Sequence, residues 1–386
     1  MADELEKGLE GVPVAESSLS YIDGDAGRLV YRGYDIGDLA RDATFEAVLY
    51  LLWHGELPTQ AELAEFAAAM AAERQVDDAV LAAADGLAGM DESPMAALRT
   101  LVSHLSASDP EPDAEGGDLE AGLRKGRRAT AKLPTVLAAF DRARRGEDPV
   151  EPCEDLGHAA NFLYMLTGEE PDEVAEETFD QALILHADHG LNASTFTAMV
   201  VASTLADTYS AVTGGIGALS GPLHGGANQD VMAMFLDIDE SDTDPVGWVQ
   251  RAREEREDWR VPGNGHRVYD VKDPRAEILQ QRSRELAEST GESKWYDYAS
   301  AIEEYLAEDM GLVEKGIAPN VDFYSGTVYY QLGIPIDMYT PIFAMSRVGG
   351  WVGHVLEYQA DNRLIRPRAR YTGETNAEFV PIDERE

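Results

Sequence analysis

The stretch DATFEAVLYLLWHG, residues 42–55, decides what kind of fold this chain makes. Phe45, Val48, Leu49 and Leu52 fall at i, i+3, i+4 and i+7, which puts an apolar stripe on one side of a helix. Asp42-Ala43-Thr44 supplies a cap before the stripe, and Gly55 supplies a stop after it. The pattern repeats at once, with Thr59 preceding Leu63, Phe66, Ala67 and Met70. The same periodicity predicts helices over 75–89, 93–107, 118–145, 154–167, 172–187, 192–213, 226–237, 245–257, 274–290, 294–309, 322–332 and 340–358. Period-2 alternation is nearly absent, so strands should be few and short. The expected fold class is all-α. Two acidic, turn-rich stretches, SASDPEPDAEGGD (106–118) and DIDESDTDP (237–245), are expected as surface loops. The basic run LRKGRR (123–128) lies on a predicted helix, where a solvated face is the commoner reading than a ligand site.

Composition narrows the function classes. The 386 residues could form two or three average domains, or one large body with a smaller lobe, and no internal repeat is visible. Hydrophobic residues make up 44%, enough for a sizeable core. Asp and Glu number 72 against 31 Lys and Arg, a formal net charge of -41, which argues against nucleic acid as a partner. Two readings of this acidity compete: a solubilising surface, or adaptation to high salt. The acids are spread along the whole chain and lysine is confined to Lys7, Lys125, Lys132, Lys272, Lys294 and Lys315, which favours the second. At molar salt the Debye length falls to about 3 Å, so dispersed like charges stop opposing compaction. The single cysteine, Cys153, excludes an intramolecular disulfide and a Cys-based metal site. No apolar run approaches the ~18 residues of a membrane span, and the acidic N-terminus lacks signal-peptide character, so a cytoplasmic location is expected.

Four stretches gather polar residues among small ones. HADHGLNAST (186–195) places His186 and His189 three apart at a helix end, with Gly190 to stop that helix and Asn192 to cap the next. That spacing permits a metal site. However, there is no HExxH and no cysteine to help, so a structural role for one of the two histidines is the commoner outcome. GPLHGGAN (221–228) sets His224 among glycines ahead of a helix capped by Asn228. Its HGG is like the oxyanion loop of esterases, but the elbow that fold needs is missing, since GALSG (217–221) has the wrong spacing. RVPGNGHRVYDVKDPR (260–275) brackets Asn264 with Gly263 and Gly265 before His266, so backbone can approach a ligand closely. Arg275 follows Asp273-Pro274 in the first turn of a helix, a fixed position for a carboxylate-binding fork. APNVDFYSG (318–326) sets Asp322 among Val321, Phe323 and Tyr324, as an ordinary helix cap or as a partly desolvated base. Arg347, Arg363, Arg366, Arg368 and Arg370 then cluster toward the C-terminus, which points to bound carboxylates or an acidic partner face.

In this order the segments resemble citrate synthase. GHRVYDVKDPR is close to the family's signature, PLHGGAN, PNVDFYSG and RPRARYTG stand at the expected intervals, and an N-terminal segment like ESSLSYIDGDAGRLVYRGYDI extends the likeness over nearly the whole chain. The resemblance implies an α-helical homodimer with a large domain (1–226 and 328–386) and a smaller mobile domain (227–327). It implies condensation of acetyl-CoA with oxaloacetate and hydrolysis of citryl-CoA, with acetyl-CoA as a substrate and no cofactor or metal. Asp322 would be the base, His224 the donor to the enolate oxygen, and His266 the donor to the oxaloacetate carbonyl. His189, Arg275 and Arg347 would hold the oxaloacetate carboxylates, with Arg366 entering from the other subunit. Arg260, Val261, Pro262, Gly263 and Asn264 would bind CoA. Two departures from the family stand out: Asn264 replaces a common aromatic residue, and Asp270 stands where a basic residue often meets CoA phosphate, a task left to Lys272 or Lys315.

Three rivals are weighed against this. A 2-methylcitrate synthase uses the same residues with propionyl-CoA, one methyl larger, a difference worth about 1–3 kcal/mol. A metal-dependent hydrolase would use His186, His189 and Asp188. A non-catalytic CoA-binding protein would lack a catalytic group, and His224, His266 and Asp322 are all present.

Overall fold

A computed structural model describes residues 6–9, 11–112 and 116–385. The helical reading holds. An antiparallel meander of three short strands opens the fold: β1 (Ser20–Asp23), β2 (Arg28–Tyr31) and β3 (Tyr34–Asp35). Then come α1 (Ile36–Asp42), α2 (Phe45–His54), α3 (Gln60–Ala72), α4 (Asp78–Ala88), α5 (Pro94–Leu105), α6 (Leu119–Arg144), α7 (His158–Thr167) and α8 (Glu173–His186). The remainder is α9 (Ala193–Ala202), α10 (Thr208–Leu219), α11 (Ala227–Glu240), α12 (Pro245–Glu255), α13 (Pro274–Thr290), α14 (Lys294–Glu304), α15 (Val321–Gln331) and α16 (Tyr339–Ala360). The caps read from sequence for the first two long helices are in place. The Thr44 hydroxyl accepts from the Ala47 N–H, Gly55 ends α2 in the left-handed conformation, and Thr59 forms a capping box with Glu62.

The centre of the fold is α16, buried without interruption from Tyr339 to Val355. A helix buried on every side must be wrapped by others, and α2, α6, α8, α9 and α10 pack around it. Gly350 lets it approach the end of α8. Its N–H donates to the Ala187 carbonyl at 3.0 Å, and a Cβ there would lie 2.4 Å from an Asp188 carboxylate oxygen. A second set of helices packs mainly within itself: α15 lies against α11 and α13, and α14 against α12, α13 and α15.

Several expectations change. The helix predicted over 192–213 is two helices, because Leu205 turns left-handed (φ 64°) and Asp207 caps α10 through the Ser210 N–H. Its apolar period runs straight through the break, so period alone does not show it. The acidic stretch 237–245 is helical as far as Glu240. The stretch 106–118 is tied down where it is described. Asp109 is buried and accepts from the Arg128 Nε and the Tyr209 hydroxyl, each at 2.8 Å, while Glu111 accepts from Arg124 at 2.7 Å. LRKGRR is therefore no solvated face: its cations neutralise the acidic stretch, and Arg127 pairs with Glu73 at 2.9 Å. Residues 113–115 of that stretch lie outside the described residues. No helix is long and apolar enough to cross a membrane among the described residues.

Candidate active site

The four polar stretches each contribute a helix end or a loop to one cleft. After α8 the chain turns through Asp188, His189 and Gly190, whose φ of 59° suits glycine. Asn192 then caps α9, its side-chain oxygen accepting from the Ser194 and Thr195 N–H groups. The β-meander braces this turn from behind. The Tyr31 hydroxyl donates to the Asp188 carbonyl at 2.7 Å, the Ser20 hydroxyl donates to the buried Asp188 carboxylate at 2.5 Å, and His354 Nε2 meets that carboxylate at 3.1 Å.

His224 sits in the turn between α10 and α11. Its Nε2 lies 2.9 Å from the Ser194 hydroxyl and accepts the Ser194 backbone N–H, which can only donate, at 3.1 Å, where α9 begins. A neutral ring with Nε2 as acceptor carries its proton on Nδ1. His266 has the opposite arrangement: Nδ1 accepts from the Val268 and Tyr269 N–H groups at 3.0 and 3.3 Å, so Nε2 carries the proton. Burial pushes both imidazoles down to about 4, with Arg347 adding to the effect at His224 and Arg275 at His266. Both rings are therefore neutral at physiological pH and each presents one N–H.

His189 is buried and held well below the usual histidine range, first by burial and then by Arg275. Its Nε2 lies 3.2 Å from the Tyr269 hydroxyl, and its ring centroid is 5.3 Å from that of His266. Asp322, the second residue of α15, is raised to about 6. Burial is the main cause, opposed by Arg275 and Arg347 and reinforced by Asp273. The cap of that helix is Asn320, whose side-chain oxygen accepts the Asp322 N–H at 2.9 Å. The cap reading of Asp322 is thereby replaced.

Two buried cations complete the cleft. Arg275 closes a fork on Asp273, with Nε donating at 3.0 Å and Nη2 at 2.7 Å, and this pairing holds the guanidinium above its usual range despite burial. Arg347 projects from α16, donates from Nε to the His186 carbonyl at 2.7 Å and lies 4.6 Å from the centroid of the Phe343 ring. Burial pushes it down to about 10.

The candidate CoA segment forms an edge of the cleft. Arg260 is exposed, Pro262 and Asn264 are half-buried, and Val261 and Gly263 are buried. Gly263 (φ 70°) approaches protein rather than open space, because a Cβ there would lie 2.9 Å from the Phe323 Cα. Asn264 bridges to Pro319, and its amide donates to the Pro262 carbonyl at 3.2 Å. Lys272 is committed elsewhere, 2.5 Å from Glu303 and bonded to Gln280, and so does not stand in for the base missing at Asp270. Lys315 remains exposed. Arg366 is exposed in a stretch after α16 that forms neither helix nor strand.

Two details of the sequence reading fail here. Gly226, not Asn228, stands at the start of α11, and Asn228 is buried inside its first turn. His186 and Asp188 turn away from one another: His186 Nδ1 donates to the Ala182 carbonyl at 2.7 Å, whereas Asp188 meets Ser20 and His354. Among the described residues no three His, Cys, Asp or Glu side chains are grouped to hold a metal ion. The reading missed Ser194, Tyr269 and Asn320 as orienting groups. Only Asn320 carried a signal, an Asn two residues ahead of the candidate base.

Comparison with known proteins bears on the family and the fold. The family model described as "Citrate synthase, C-terminal domain" matches residues 8–368. The citrate synthase of Haloferax volcanii is 65% identical over 386 residues, covering 100% of both chains. The 2-methylcitrate synthase 1 of Corynebacterium glutamicum is 40% identical, covering 99% of each. Among solved structures, the citrate synthase of Pyrobaculum aerophilum superposes with a TM-score of 0.91 at 42% identity, covering 98% of this chain and 95% of that one. The Thermoplasma acidophilum citrate synthase, solved as a ternary complex with carboxymethyl coenzyme A and oxaloacetate, gives 0.90 at 34%, covering 99% and 100%.

Proposed function

Because the chain belongs to the citrate synthase family, we propose that this cleft condenses acetyl-CoA with oxaloacetate through the residues assembled there. The protein is a transferase that joins the acetyl group to oxaloacetate and hydrolyses the resulting citryl-CoA to citrate and CoA. The observation that carries the residue assignment is the pair of neutral imidazoles with opposite protonated nitrogens. One proton transfer and one carbonyl addition require two separate hydrogen-bond donors, and a neutral ring donates without giving up its proton.

Asp322 removes a methyl proton from acetyl-CoA. With its pKa near 6 it is ionised at neutral pH yet more basic than an ordinary carboxylate. His224 Nδ1–H stabilises the enolate oxygen as charge develops. His266 Nε2–H polarises the oxaloacetate carbonyl and receives the alkoxide formed when the new carbon–carbon bond closes. Loss of one such donor typically costs about 10²–10³ in rate. His189, Arg275 and Arg347 hold the two carboxylates, with Arg366 supplied by a second copy of the chain. Arg260, Val261, Pro262, Gly263 and Asn264 receive CoA. So acidic a chain buries Arg275 and Arg347 together because they attract anionic substrates that its overall field repels. Acetyl-CoA is a substrate, and none of these steps draws on a cofactor or metal.

The segment 227–327, which contains α11 to α14 and the first part of α15, acts as the smaller mobile lobe on a large domain made of 1–226 and 328–386. The enzyme works as a cytoplasmic homodimer with shared sites, at high salt. Acetyl-CoA is preferred to propionyl-CoA, supported by the higher identity to a protein named citrate synthase than to one named 2-methylcitrate synthase. The test is thiol release in molar KCl from oxaloacetate with acetyl-CoA or propionyl-CoA, each with and without chelator. Faster release with acetyl-CoA, unaffected by chelator, is expected. Preference for propionyl-CoA would change the pathway, and no oxaloacetate-dependent release would end the assignment.

A further inference from the structure

Three groups from separate segments must meet substrates together: the CoA loop, His266 and Asp322. We infer that Asn320 is the positioning residue that fastens them to one another, so that the loop receiving CoA sets the placement of both the base and the carbonyl donor; this rests on the function proposed above.

Asn320 is buried, with 9% of its surface exposed, and its side chain works in two directions. The carbonyl oxygen accepts the Asp322 N–H at 2.9 Å, while the amide nitrogen donates to the Gly265 carbonyl at 2.9 Å, next to His266. The partners dictate the orientation of the amide, since one is a donor and the other an acceptor. Its backbone adds a third bond, the Asn320 N–H donating to the Gly263 carbonyl at 2.9 Å. Around it the segments 263–265 and 318–320 are joined by the Gly265 N–H to Ala318 carbonyl bond at 2.8 Å and by the isolated antiparallel bridge between Asn264 and Pro319. Asp273 makes a parallel tie, accepting the Val321 N–H at 3.3 Å while it holds the Arg275 fork.

A helix cap needs only an acceptor on the side chain. The amide donation to Gly265 goes beyond that requirement. It links residues 55 apart in the chain and joins the segment that ends at His266 to the one that starts at Asp322. Any shift of the CoA loop is thus carried to both groups through the two side-chain bonds of Asn320 and the backbone bonds beside it.

The chemistry of the two functions separates them. Asn320→Ser keeps a good capping oxygen but cannot reach Gly265. Asn320→Asp keeps the size and the capping oxygen but turns an oxygen toward the Gly265 carbonyl in place of the N–H. Steady-state kinetics, thermal unfolding and the infrared carbonyl stretch of bound oxaloacetate are measured for both variants and the wild type in molar KCl. A hydrogen bond from His266 weakens that carbonyl, so its frequency reports where the donor lies, independently of turnover.

The expected result is a folded Asn320→Ser protein whose kcat/KM for acetyl-CoA falls roughly 10²-fold, the cost of a misplacement near 1 Å, with the oxaloacetate frequency moved toward that of free ligand. Wild-type kinetics and frequency in the serine variant would reduce Asn320 to a cap and overturn the inference. Should the serine variant not fold, the aspartate variant decides on the same frequency: movement supports the inference and no movement refutes it. A wild-type protein with neither turnover nor a shifted carbonyl would instead refute the underlying functional assignment.

Discussion

Replacing Gly263 with alanine tests how closely the CoA loop is set against the base. The new methyl would lie 2.7 Å from Val231 Cγ2, 2.9 Å from the Phe323 Cα and 3.0 Å from the Phe323 Cβ. Carbon atoms in contact prefer about 3.5–4.0 Å, so the start of α15 must retreat by roughly 0.5–1 Å. Phe323 is backbone-linked to Asp322, and the base moves with it. A misplacement of about 1 Å can cost roughly 10²-fold, and that is the expected fall in kcat. The left-handed backbone, φ 70°, adds about 1–2 kcal/mol of strain, a fraction of the 5–15 kcal/mol typical of a domain, so the variant should fold. Gly291→Ala is the control: its φ is 75°, with nothing within 4 Å of the added methyl. It carries the same strain without the collision. The assay is steady-state CoA release beside thermal unfolding for both variants. If Gly263→Ala folds and turns over like Gly291→Ala, the loop does not set the position of Asp322 and the reasoning fails.

Further outcomes follow from the same structure. Asp322 must be ionised to act and its pKa is raised to about 6, so kcat/KM for acetyl-CoA should fall about tenfold per unit as pH drops below 6; a limb centred near 4 would contradict the desolvated base. Arg366→Ala should raise the KM for oxaloacetate and leave folding intact, and an unchanged KM would remove the second copy from the site. Arg128→Ala strands the buried Asp109 carboxylate, which should cost about 3–5 kcal/mol by denaturant titration; a loss below 1 kcal/mol would show that the pair is not worth its burial. The chain should unfold on dilution from molar KCl and recover when salt is restored, whereas indifference to salt would leave the charge of -41 as a solubilising surface only.

The sequence determined the helical class because period and caps are local signals: Thr44, Thr59 and Asn192 each cap the helix their position implies. It also nominated most of the site, since glycine-hedged histidines and an arginine after Asp-Pro are unusual in any chain. What it did not hold was whatever depends on partners far along the chain. The break at Leu205 lies inside an unbroken apolar pattern, and the cations of 123–128 read as a free surface until the acidic loop folds onto them. Likewise, nothing near His224 in the chain says which of its nitrogens carries the proton, because the deciding backbone N–H comes from Ser194, 30 residues away. Nor does local sequence raise Asp322 to about 6, because desolvation is a property of the walls around a carboxylate rather than of its neighbours in the chain. Residue type sets what a group can do, and only the tertiary structure sets its protonation, its partner and its aim.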